Sequence, residues 1–314
     1  MRRSDLLITA VRNLSRNAAN PDGTFSITDD EILQYLNDGQ DRLQNLLSAE
    51  KNIAKIFCTE SVLSAVAGQE AYTIPDRVLM NKQIEFVEYS ATGAVADYVR
   101  VEKLNFFNRD TNQSTYPWGY IKRGGQLLIQ PTFTTAQGSI RVTYERELDD
   151  LDAVRGRVNG TPAGLVIDLT HSTGAPTAAN EALFVNGTYV CVSSVSGSVL
   201  LYNGLISSYD APTDAITLAA NVSTYLVTGV ALADLADGYL TVGKYTTTFS
   251  KLPDNCERYL IHYAAAELFH RDSSNDYNKE LGLLGEIEKD IIKSLSAQTS
   301  EVQFVPQMNR FEWW

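Results

Sequence analysis

Apolar residues recur at helical spacing near both ends of the chain and at strand spacing between them. Leu7, Val11, Leu14 and Ala18 share one face of a first helix, and Asn20-Pro21-Asp22-Gly23 stops it. A second helix opens on a capping box, with Thr28 accepting from the Glu31 amide and Glu31 reaching back. Asp29, Asp30 and Glu31 sit in its first turn, where the helix dipole favours negative charge. Leu33, Leu36, Leu43 and Leu47 form its apolar stripe. Beyond Lys51 the period falls to two, which predicts strands over 71–74, 84–89, 98–101, 126–130 and 140–144. Gly124-Gly125 and Gln137-Gly138 supply turns. Helix returns near Pro253, a residue suited to a first helical position because its missing N–H is unpaired there anyway. Its buried face is Leu260, Ile261, Ala264, Ala265, Leu268 and Phe269. After a polar break at 271–276, Tyr277, Leu281, Leu284, Ile291 and Leu295 line one side of a last helix. Residues 299–314 form an extended aromatic tail.

Charge divides the chain more sharply than hydropathy does. Residues 1–155 hold 17 basic and 21 acidic side chains, and residues 244–314 hold 8 and 11. Residues 156–243 hold one basic side chain, Arg157, and six acidic ones. That stretch runs through GLVIDLT, ALFVNGTYVCVSSV, SVLLYNGLI, DAITLAA and TYLVTGVAL, short β-branched runs broken by Gly, Asn, Asp and Pro. The pattern predicts antiparallel all-β structure. The expected fold is therefore α+β: a helical bundle with antiparallel β elements, interrupted by an all-β inserted domain. The expected parts are a scaffold at 1–155 plus 244–298, the insert at 156–243, and the tail.

Composition narrows the function classes. The 314 residues carry a formal net charge of −12, against the basic patch that marks a general nucleic-acid binder. No apolar run approaches the ~20 residues of a membrane helix. Asp5 and Arg12 interrupt any signal-peptide core in the basic start. The three cysteines, Cys58, Cys191 and Cys256, are odd in number and far apart, which reads as buried thiols and not as a disulfide frame.

Candidate chemistry is thin. GYLTVGKY at 238–245 nearly fits a phosphate-binding loop, but Tyr245 stands where the magnesium-binding hydroxyl belongs, and 239–242 favour a strand. Glu147, Asp149, Asp150 and Asp152 offer oxygen ligands for a hard cation without the glycine spacing of a calcium loop. The plainer reading is a solvated hinge into the insert. His262, His270 and His171 lack a third ligand at suitable spacing. The sequence assigns no catalytic residue, no metal and no cofactor, and the chain is not expected to be an enzyme.

Five segments stand in an order that resembles one family: SITDDEILQYLNDGQDRLQNLL at 26–47, AYTIP at 71–75, PWGYIKRGGQLLIQP at 117–131, IRVTYERE at 140–147 and KLPDNCERYLIHYAAAELF at 251–269. The chain resembles the head-to-tail adaptors of short-tailed and related bacteriophages, departing from their usual pattern in carrying the insert. The resemblance implies a structural virion protein at the head-tail junction, made in the host cytoplasm. It implies a ring, twelve-membered, under the portal, with DNA passing through its centre. The expected partners are further copies of the chain, the portal protein, and the next tail component, a nozzle or tail tube. Tail fibres and the transiently passing DNA complete the set, with no membrane. Val302, Phe304, Val305, Phe311, Trp313 and Trp314 are the candidate docking residues, because large aromatics anchor interfaces. The tail packs either on its own subunit or, as the resemblance favours, on a neighbouring adaptor or on the portal. Arg2, Arg3, Arg12 and Arg16 read either as a solvated helix face or as contacts to an acidic partner. An alternative of another class is a receptor- or carbohydrate-binding virion protein, with Phe184, Tyr189, Tyr202, Tyr209 and Tyr225 of the insert stacking on sugars.

Overall fold

The computed structural model describes residues 3–16, 26–50, 53–75, 77–79, 84–105, 113–114, 116–134, 138–171, 173–272 and 276–300. Those residues form a mixed α+β protein with five α-helices: α1 (Ser4–Ser15), α2 (Asp29–Ala49), α3 (Ala178–Glu181), α4 (Glu257–Arg271) and α5 (Asp276–Ser300). The chain divides into two compact units, residues 46–147 and the remainder.

The unit at 46–147 is built on β1 (Cys58–Ser64), β2 (Ala71–Thr73), β3 (Ile84–Ser90), β4 (Val99–Lys103), β5 (Gln113–Ser114), β6 (Gly119–Arg123), β7 (Gln126–Gln130), β8 (Thr132–Phe133) and β9 (Ser139–Glu145). Seven of them make one sheet in the order β1-β9-β3-β4-β6-β7-β2. It is antiparallel except where β4 lies parallel to β6. Ile140, Val142 and Tyr144 alternate along β9 and join Val87, Leu127 and Ile129 in one core. The expected strands appear within a residue or two of their predicted bounds, and the sheet adds β1 and β6 to them. Gly138 ends the turn before β9 with φ +86°, where a Cβ would lie 2.1 Å from the Ser90 carbonyl oxygen, so only glycine fits.

The second unit holds the helices and the stretch set apart by charge. Here β10 (Asp150–Leu151), β11 (Gly156–Arg157), β12 (Val166–Asp168), β13 (Tyr189–Ser193), β14 (Val199–Asp210), β15 (Ala215–Leu218), β16 (Tyr239–Val242) and β17 (Thr246–Thr247) follow in turn. Six of them form a sheet in the order β11-β16-β13-β14-β15-β12, antiparallel at every pairing. Ile167, Val190, Leu201, Ile206, Ile216 and Leu240 lie in its core. Contact density thus groups this sheet with the helices, whereas charge sets its residues apart.

Helix α4 packs against α1 and α5. A Cβ at Gly39 would lie 2.8 Å from the Tyr263 ring, so α2 and α4 approach more closely there than alanine permits. Along α5 the buried stripe is Leu284, Ile287, Ile291 and Leu295, while Leu281 faces solvent. The spacing through Ile287 keeps the stripe on one face, which Leu281 leaves. The expected capping box forms by half. Thr28 Oγ1 accepts from the Glu31 amide at 3.2 Å, but the Glu31 carboxylate accepts from Arg271 at 2.6 Å. A charged partner at the end of α4 outcompetes the weaker reach back to a backbone amide. Pro253 precedes a short 3-10 turn at Asp254–Cys256 from which α4 continues.

Candidate functional site

Three of the side-chain amides on helix α2, those of Asn37, Gln40 and Gln44, lie one above another at helical spacing. Each faces the backbone at 148–151. Asn37 donates to the Leu151 carbonyl at 3.0 Å and accepts from the Leu151 amide at 2.7 Å. Gln40 donates to the Asp149 carbonyl at 2.9 Å, and Gln44 accepts from the Leu148 amide at 3.1 Å. The helix thus gives this segment what a neighbouring strand would, because a carboxamide offers the same donor and acceptor as a peptide group. On the other side β10 runs parallel to β17, with Asp150 and Asp152 amides donating to Tyr245 and Thr247 carbonyls, each at 3.0 Å. Ser4, at the start of α1, closes the arrangement through its amide to Thr248 and its hydroxyl to the Asp152 carbonyl, each at 2.7 Å. The two ends of the stretch 156–243 therefore run side by side in one buried polar seat.

The acidic cluster belongs to this seat. Asp149 is 2% exposed and Asp152 is 7% exposed, so the expectation of a solvated hinge is corrected at both. The Asp149 carboxylate accepts from Lys251 Nζ at 2.6 Å and from the Tyr202 hydroxyl at 2.5 Å. Tyr202 reaches it because β14 bulges there. Val190 and Val192 of β13 face Gly204 and Leu201, so β14 holds one extra residue, and Asn203 takes φ +54°. The same bulge lets the Asn203 side chain accept from the Tyr245 amide at 2.9 Å. Asp152 accepts from Arg155 at 2.6 Å and from the Val242 amide at 2.8 Å. Arg155 also reaches Asp30 in α2 at 2.6 Å. Burial works against the Arg155 guanidinium, yet the hydrogen bonds it donates to Asp152 and Asp30, with their negative charge, outweigh it and raise its pKa above the ordinary value. Asp150 is exposed, and in the other unit Glu147 lies 3.8 Å from Arg77. The seat holds chain segments together; its carboxylates are engaged by cations, amides and a phenol.

The other candidates fall into structural places. GYLTVGKY is strand β16, then a turn with Gly243 at φ +124° and Tyr245 at φ +53°, then β17, whereas a phosphate loop opens into a helix. His262 lies 2.8 Å from Glu280, His171 lies 2.8 Å from Asp237, and the His270 ring packs on Tyr277. Among the described residues no three His, Cys, Asp or Glu side chains are placed to hold a metal ion. Within residues 156–243, Phe184 is buried against Tyr209, and Tyr209 and Tyr225 pack on the core. Tyr189 lies under Lys244.

Arg3 and Arg12 are engaged within their own chain. Arg3 binds Asp5 at 2.6 Å and the Tyr239 hydroxyl at 2.8 Å. Arg12 donates to the Ile27 carbonyl at 2.9 Å and to Asp29 at 2.5 Å. Arg16 ends α1 in the left-handed conformation. Arg2, Val302, Phe304, Val305, Phe311, Trp313 and Trp314 lie outside the described residues.

A family model described as SU10 adaptor protein matches residues 1–170. The chain belongs to the SU10 adaptor protein family. This is a family of phage head-tail adaptors, and it makes the chain a structural component of a virion. The matched stretch takes in the seven-stranded sheet, α2 and the first side of the seat, and it ends within the stretch 156–243. No curated protein matches the adaptor. Among its described residues no helix is long and apolar enough to cross a membrane.

Two expectations test the seat and the thiols. Asp149→Ala strands the Lys251 charge and the Tyr202 hydroxyl. Lys251 keeps some solvent contact, so the loss should be about 3 kcal/mol, the low end for breaking a buried pair. Urea unfolding of the single and Lys251→Ala double variants measures it, with the double variant recovering part of the loss. Burial pushes the Cys58 thiol up to about 11, helped by Glu85 and Glu145, and the Cys256 thiol up to about 12, helped by Glu257. Burial raises Cys191 as well. Folded values above the ~8.5 of a free thiol favour the protonated form. Their stability contribution is whole below pH ~8.5 and is lost as pH climbs through the folded values. Native protein at pH 8 should react slowly with Ellman's reagent and quickly once denatured; prompt reaction of two or more native thiols contradicts this.

Proposed function

We propose that the adaptor closes into a ring, twelvefold as its resemblance implies, that joins the portal to the tail and forms part of the DNA channel. The match of residues 1–170 to the SU10 adaptor family carries this reading. A ring of one chain needs a heterologous contact whose rotation closes, one surface of each copy meeting a different surface of the next. Charge supports a conduit. The unit at 46–147 has 11 basic and 11 acidic side chains, so the whole excess of 12 negative charges lies in the other unit. Phosphate affinity comes from clustered Lys and Arg, so an excess of acidic side chains is compatible with DNA passing without sticking. Electron micrographs of the purified chain, alone and mixed with portal, test the reading: rings are expected on the portal. A compact trimer would favour the receptor-binding alternative, whose aromatic side chains are largely taken up in the core of the insert.

The acidic partner contact proposed for the N-terminal arginines falls on Arg2 and Arg16, since Arg3 and Arg12 already engage Asp5 and Asp29. The apolar residues Val302, Phe304, Val305, Phe311, Trp313 and Trp314 are proposed to dock outside their own subunit. Residues 156–243 are proposed as an inserted domain that projects as a platform for the next tail component or for tail fibres. Replacing them with a short Gly/Ser linker should leave a soluble, helical scaffold by circular dichroism. An unfolded product would make the stretch part of the core.

A further inference from the structure

Among its described residues the unit at 46–147 has an apolar groove beside its sheet. Tyr89 of β3, Val99 and Arg100 of β4, and Tyr116 line it, around about 350 Å³. Val99 is 69% exposed, Tyr116 is 61% exposed, and Val95, two residues from Asp97 of the groove, is 81% exposed. Tyr116 stands edge-on to Tyr89, with ring centroids 6.0 Å apart, so the opening is framed by aromatic rings. A volume of this size lies within the ~300–1,000 Å³ typical of ligand-holding clefts. Contiguous large apolar side chains in solvent mark a surface that something covers.

We propose that this groove receives residues 309–314, Asn-Arg-Phe-Glu-Trp-Trp, from the end of a neighbouring copy of the chain. Two matches on the two sides select this occupant. The groove presents aromatic and branched apolar surface, and the segment holds Phe311, Trp313 and Trp314, the kind of anchor on which interface energy concentrates. The groove also holds one anion and one cation, Asp97 and Arg100, and the segment holds one cation and one anion, Arg310 and Glu312. Opposite charges at the rim set register and exclude wrong partners. The fourteen residues after α5 span up to ~46 Å when extended, a reach sufficient to cross a subunit boundary. Exchange between copies rests on the ring reading, for which a terminal segment of one copy in a groove of the next is a heterologous contact.

The test uses the full chain with the photocrosslinker p-benzoylphenylalanine in place of Asn309, which leaves every aromatic of the segment intact. Isotopically light and heavy copies are mixed, irradiated and mapped. Crosslinks between light and heavy copies at 89–100 and 116–117 are expected. Val99→Asp, and separately Tyr116→Ala, should lower their yield at least tenfold with the melting temperature unchanged. Both side chains are largely exposed, so a folding defect in one leaves the other as the probe. Crosslinks confined to the copy of origin, mapped to another surface or to a co-purifying partner, or insensitive to both substitutions overturn the proposal. Rings that form without the groove crosslink refute the groove alone. Groove crosslinks between copies that form no ring refute the ring reading alone.

Discussion

A helix takes the place of a strand at the centre of the larger unit. Asn37, Gln40 and Gln44 of α2 pair with the backbone at 148–151, and several other elements of that unit meet on this segment. Its other edge orders β17, Ser4 docks α1 on it, and Asp149 and Asp152 anchor Lys251, Tyr202 and Arg155 around it. Buried backbone groups without partners are costly, at roughly 1–3 kcal/mol each. The amides therefore stabilise the seat chiefly by leaving none of these crossing groups unmet. Apolar residues of the same size would fill the space and leave the segment's own polar groups stranded.

The periodic parts of the fold were legible in the residues themselves. The alternation of Ile140, Val142 and Tyr144 announces β9, and Leu260, Ala264 and Leu268 announce α4, because burial on one face forces a period. The seat was not legible in the same way. Its amides lie on the helix among leucines, where local pattern reads Asn and Gln as ordinary solvent-facing residues. Their role depends on backbone more than a hundred positions away. The acidic run from Glu147 to Asp152 misled for the same reason: charge in sequence says nothing of the lysine, arginine and tyrosine that meet it in space. Glu31 shows the reverse error, since a local capping rule is overruled by Arg271.

The exposed groove of the smaller unit escaped pattern reading because its parts are scattered. Tyr89 lies inside a strand, Val99 opens the next, and Tyr116 precedes a third. The aromatic end of the chain was visible at once, being concentrated in a few positions. Family membership and physical reading therefore inform different levels. The first says what kind of assembly the chain serves. The second says which side chains stand ready to make it.

The side-by-side course of β10 and β17 reaches beyond this one chain. Once both ends of an intervening segment are clamped at neighbouring points, its length hardly affects the cost of closing it. Doubling a closed loop adds only about 0.6 kcal/mol. An intervening segment of another length would therefore meet the same grip from the amides of α2 and from the ladder to Thr246 and Thr247.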